Sequence, residues 1–126
     1  MTLLTTDEAF LTGKAYDYVL LAEGGAEQLL VLRGVVLAQG KFDQAATDIL
    51  VKISPGYPVT PLDMFWVCPA LRYPTGATPP AADNYETHEG RMWQRFSRHL
   101  PGGAWRPGVD SLRTFLPVVL AELVQP

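Results

Sequence analysis

Over Asp48 to Ile53 (DILVKI), Ile49, Val51 and Ile53 fall on one side of an extended chain and Leu50 and Lys52 on the other. A period of two is the signature of a strand in a layered fold. The same reading gives strands over Ala15 to Ala22 (AYDYVLLA) and Gln28 to Leu37 (QLLVLRGVVL). They are joined at Glu23-Gly24-Gly25-Ala26, where glycine supplies the positive φ that a tight turn needs. A further strand, Asp63 to Val67 (DMFWV), follows SPGYPVTPL. The joins are too short for parallel crossovers, which need about a dozen residues, so an antiparallel meander of about four strands is predicted.

The end of the chain has a different period. After Asp110 as a predicted N-cap, Leu112, Phe115, Leu116, Val119, Leu120 and Leu123 recur at helical spacing, a stripe expected to pack on the sheet. Pro117 lies inside that stripe and predicts a kink or a later start. At the other end, Thr6 to Leu11 reads as a short helix capped by Thr5 or Thr6, with Asp7 and Glu8 well placed in its first turn. Proline separates the two halves: none of the 11 precedes Pro55, and seven fall between Pro55 and Pro80. Cys68 to Trp105 is therefore expected to be a long irregular stretch, too long for a mere connection and suited to a functional loop. The predicted class is α+β, in a single domain over residues 1–126.

Composition narrows the function. The net charge is -3, and the ten Lys and Arg residues are scattered rather than clustered, which argues against nucleic acid as a partner. No apolar run approaches the roughly 18 residues of a membrane span, and the first residues lack a leader pattern, so no membrane association and a cytoplasmic location are expected. A single cysteine, Cys68, allows no internal disulfide and no cysteine-based zinc site. His88 and His99, with Glu86 and Glu89, lack a metal-ligand spacing, so neither metal nor cofactor is expected.

Two blocks carry a resemblance. YPVTPLDMFWV (57–67) resembles the Tyr-Pro-x-x-Pro-Pro segment that leads into a strand of ubiquitin-conjugating enzymes, and WRPGVDSLRTFL (105–116) resembles their Trp-x-Pro step into the helix after the active site. With WQRFSRH (93–99) added, the combination looks like the prokaryotic branch of that superfamily called family E. The resemblance implies a compact conjugating-enzyme-like fold. It also implies two protein partners, a ubiquitin-like protein and an activating enzyme.

The usual nucleophile is absent. In conjugating enzymes the cysteine lies roughly eight residues before that tryptophan, and the position eight before Trp105 is Ser97. The His-Pro-Asn motif is missing too; His88 is near its histidine but is followed by Glu89 and Gly90. A serine hydroxyl needs a base, and His99 is the candidate. If this segment is extended, Arg95, Ser97 and His99 share one face. Arg95 or Arg98 would then stabilise a developing oxyanion or the carboxyl of a ubiquitin-like tail. Ser97 as a turn residue with His99 as an ordinary imidazole remains the alternative, within an inactive binding or scaffold module. Trp93, Phe96 and Trp105 are expected to be core anchors, with Trp105 also bordering the site. Cys68 follows an apolar strand and reads as a small buried hydrophobe, with a role as alternative nucleophile still open. An unrelated hydrolase is disfavoured because no G-x-S-x-G elbow surrounds Ser97.

Overall fold

The computed structural model describes residues 4–22, 27–98 and 105–125. Helix α1 (Thr5–Gly13) leads into strands β1 (Tyr18–Ala22), β2 (Gln28–Val36), β3 (Ala46–Ile53), β4 (Phe65–Cys68), β5 (Asn84–His88) and β6 (Arg91–Phe96). Helix α2 (Leu112–Val124) follows. The strands form one antiparallel sheet in the order β1-β2-β3-β4-β6-β5. The α+β class and the meander of the first four strands agree with the sequence. The count of four does not, because the stretch expected to be irregular contains the β5–β6 hairpin, and β6 rather than β5 pairs with β4.

Two residues hid that hairpin. Its turn is Glu89-Gly90, both at positive φ (51° and 75°). This is the backbone of a two-residue hairpin turn, for which Asn-Gly is the usual signal and glutamate an uncommon one. Gln94 occupies an inward position on β6 and is fully buried, which breaks the expected alternation. Its amide accepts from the Leu71 N–H (2.7 Å) and donates to the carbonyls of Leu71 (3.1 Å) and Ala82 (2.8 Å). Three hydrogen bonds offset the cost of burying the amide and pin the proline-rich segment against the sheet.

Helix ends also differ from expectation. The N-cap of α1 is Leu4, with no side-chain cap, while Asp7 and Glu8 do lie in the first turn. The N-cap of α2 is Ser111, not Asp110, in a capping box with Thr114. Pro117 neither delays nor ends α2, which runs unbroken from Leu112 to Val124. The carbonyl that loses its helical bond belongs to the exposed Arg113, where water can take its place.

Alternation splits the sheet into two faces. On the helix side, Ile49, Val51, Phe65, Val67 and Phe96 pack with Leu11 of α1 and with Leu112, Phe115, Leu116, Val119 and Leu123 of α2. Each such side chain contributes roughly 1.5–3 kcal/mol by leaving water. Phe65 and Phe96, opposite each other across β4 and β6, stack at 4.9 Å. On the other face, Leu29, Val31, Leu50, Trp66 and Trp93 form a smaller cluster, bordered by Val19, Leu21, Met64 and Cys68. Charged side chains roof it: Lys52 Nζ lies 4.5 Å from the centre of the Trp66 ring and the Arg91 guanidinium 4.8 Å from that of Trp93. The turn end of the hairpin reaches across this face, where Glu86 meets Lys52 (2.7 Å), Arg91 meets Asp48 (2.9 Å), and the His88 ring stands edge-on to Trp66.

Candidate active site

The end of β6 is held from three sides. Beyond Phe96, the Ser97 N–H donates to the Ala81 carbonyl (3.0 Å), and the Arg98 carbonyl accepts from the Met64 N–H (2.8 Å). The Arg98 guanidinium grips Glu122 of α2 through two parallel bonds, Nε to Oε1 (2.5 Å) and Nη2 to Oε2 (2.6 Å). Met64 adopts a left-handed backbone, φ 63°. For a residue with a side chain that conformation costs about 1–2 kcal/mol. It carries the N–H that fixes Arg98, and its sulfur lies 3.9 Å from the Ser97 hydroxyl. Nothing in the local sequence marks Met64 for this role; only the pairing of β4 with β6 brings it there.

Ser97 is half-buried, and among the described residues no base touches its hydroxyl. His99, the base expected from the sequence, lies outside the described residues. Arg95 is opposite Trp66 and Asn84 in the register, on the face of the sheet that carries Trp66 and Trp93. Its side chain makes no hydrogen bond or ion pair to a described residue, and its Nε is buried without an acceptor. The two arginines grouped by the sequence therefore differ: Arg98 is paired with Glu122, and the Arg95 Nε has no acceptor. His88 is not joined to Ser97. Its Nε2 meets Glu86 Oε1 at 2.9 Å, near the hairpin turn. Cys68 is half-buried at the far end of β4 from Met64 and packs beside the Trp66 cluster, and its carbonyl accepts from Arg91 (3.4 Å).

Trp105 is tied back to the proline turn. Its indole N–H donates to the Pro58 carbonyl (2.8 Å), and its ring lies 6.4 Å from that of Tyr57. The Tyr57 hydroxyl donates to Asp7 Oδ2 (2.6 Å) and accepts from the Leu112 N–H (2.9 Å), so one oxygen links α1, the proline turn and the start of α2. Burial pushes the Asp7 carboxyl above its ordinary value, although the Tyr57 hydroxyl and the positive Arg113 pull the other way. The Tyr57 phenol is also raised, first by burial and then by its bond to Asp7. At neutral pH it stays a neutral donor. Tyr57 and Trp105, the anchors of the two sequence blocks, thus meet in space and fix the far boundary of the segment that follows Ser97.

A family model described as prokaryotic E2 family E matches residues 3–125, nearly the whole chain. The chain belongs to that family. No curated protein and no solved structure gives a significant match. Membership in prokaryotic E2 family E supports a ubiquitin-conjugating-like role in general, and with it general interaction with a ubiquitin-like protein and an activating enzyme. The sheet and two helices are compatible with an E2-like fold. Among the described residues no helix is long and apolar enough to cross a membrane, and no group of three or more His, Cys, Asp or Glu side chains is placed to hold a metal.

Proposed function

We propose that the protein is a single-domain transferase that accepts a ubiquitin-like protein from an activating enzyme on Ser97, with His99 as general base and Arg95 facing the charge on the incoming tail. In the step envisaged, Ser97 Oγ attacks the activated carbonyl, and a carbon–oxygen bond forms while the bond to the activating enzyme breaks. The hydroxyl proton passes to His99 and then to the leaving group. The observation that supports this reading is the clamped end of β6. Ser97 stands eight residues before Trp105, between two backbone hydrogen bonds, beside a strained Met64 and a guanidinium without an acceptor.

Co-expression with a cognate activating enzyme and ubiquitin-like protein, followed by mass spectrometry, tests it. An oxyester on Ser97 resists thiol reductants, is hydrolysed by mild alkali and is absent from Ser97→Ala. His99→Ala should slow its formation by about 100- to 10,000-fold. Cys68→Ala should leave it intact. An adduct formed at full rate by Ser97→Ala would sink this reading. The second reading, a binding or scaffold module without chemistry, draws on the contact of the Ser97 hydroxyl with a thioether rather than a base. It takes the lead if no adduct forms while the ubiquitin-like protein still binds.

A further inference from the structure

Each of the protein's three tryptophans carries one indole N–H to satisfy. Trp93 donates to the His88 carbonyl (3.1 Å) and Trp105 to the Pro58 carbonyl (2.8 Å). Trp66 is only 4% exposed, yet its Nε1 has no acceptor. The residue opposite Trp66 on the neighbouring strand is Arg95, whose Nε is likewise buried and unpartnered. Directly opposed residues on one face stand with Cβ atoms about 4.5–5.5 Å apart, so the two orphaned donors belong to adjacent side chains. An unpaired buried donor is costly, and two together mark a place where an acceptor is missing.

The face itself does not supply that acceptor. Glu86 is engaged by Lys52 and His88, and Asp48 divides its oxygens between Arg91 and the Gly34 N–H. Among the described residues the side chains of Lys14, Arg95 and Arg113 lack an ion-pair or hydrogen-bond partner, and only Arg95 of these is half-buried. An arginine in that position offers a fixed edge of donors that matches a carboxylate, as Arg98 shows with Glu122.

We propose that Arg95 and the indole N–H of Trp66 form a carboxylate-recognition site on the Trp66–Trp93 face of the sheet, where a glutamate or aspartate from an acidic segment of a protein partner shifts the charged cover aside to reach the two buried donors. A carboxylate fits better than a phosphate, since Glu86 and Asp48 repel a dianion more strongly than a monoanion. The site shares Arg95 with the proposed acyl transfer but needs neither Ser97 nor an activating enzyme, so its failure is separable from that of Ser97.

The experiment is NMR titration of the full ¹⁵N-labelled chain with an acetylated, amidated tetrapeptide carrying two glutamates, with its glutamine counterpart and with a phosphoserine analogue. The Trp66 indole and Arg95 Nε–H signals should shift with the glutamate peptide, while the Trp93 indole, already bonded to His88, stays in place. The glutamine peptide should bind at least about tenfold more weakly, the scale of a lost charge-assisted pair. Arg95→Gln should weaken glutamate binding to a similar degree. Trp66→Phe, which keeps an aromatic ring and loses the N–H, should weaken it by about threefold or more, and it remains informative if Arg95→Gln does not fold. Equal response to the glutamine peptide, no response at about 10 mM peptide, or a larger response to the phosphoserine peptide would each overturn the proposal.

Discussion

On the helix side of the sheet, Phe65, Phe96 and the inward stripe of α2 exclude water, and burial raises the Asp7 carboxyl above its ordinary value. On the other side Trp66 and Trp93 are also nearly inaccessible, but they are covered by Lys52, Arg91, Glu86 and His88. There the Glu86 carboxyl moves the opposite way. Burial raises it, yet the hydrogen bonds and charges of Lys52 and His88 outweigh that and leave it below its ordinary value. Equal burial of aromatic rings thus hides two environments, one that rejects charge and one that arranges it. The second is the face on which the carboxylate site is proposed.

Mutations can break or sharpen this contrast. The largest effect is expected for Phe65→Ala, which empties a fully buried, stacked site on the helix side and should cost about 3–5 kcal/mol by denaturant unfolding. A cost below about 1 kcal/mol would mean that this face is not the main source of stability. Tyr57→Phe should come next, at about 1–3 kcal/mol, because it strands both Asp7 and the Leu112 N–H. The same unfolding assay on a Trp66→Phe, Trp93→Phe background, in which Trp105 is the remaining indole, reports whether the contact of Trp105 with Tyr57 loosens with it.

Smallest, but opposite in sign on the two faces, are the effects of pH. Asp7 is raised, so its contribution is fully present below about the ordinary value of 3.8 and is lost as pH rises through its folded value. Asp7→Asn should therefore gain on the parent as pH rises from about 3.8 towards 7. Glu86 is lowered, so its contribution is present above about 4.5 and lost as pH falls through its folded value. The deficit of Glu86→Gln should shrink on acidification. Unfolding midpoints between pH 3 and pH 7 measure both, and parallel slopes for the two variants would erase the distinction between the faces.

Sequence patterns carried the first four strands, the α2 stripe and the family resemblance because each rests on local spacing. The β5–β6 hairpin escaped because Gln94 points inwards and Glu89 takes a turn conformation that its side chain disfavours; both choices are made by tertiary contacts. The place of Ser97 in the chain, eight before Trp105, was legible by counting, and its role stays a proposal. The division between Arg95 and Arg98 was not, since it depends on Glu122 in α2. Nor was the pairing of Trp66 with Arg95, which lie on either side of the whole proline-rich stretch and meet only through the register of β4 and β6.

The clamps on either side of residues 99–104 have a consequence for how damage to the fold can be read. Arg98 is secured by Met64 and Glu122, and Trp105 by Pro58, all outside that segment. Arg98 and Trp105, seven positions apart, therefore report on different parts of the chain, the first on α2 and the Met64 backbone, the second on the proline turn.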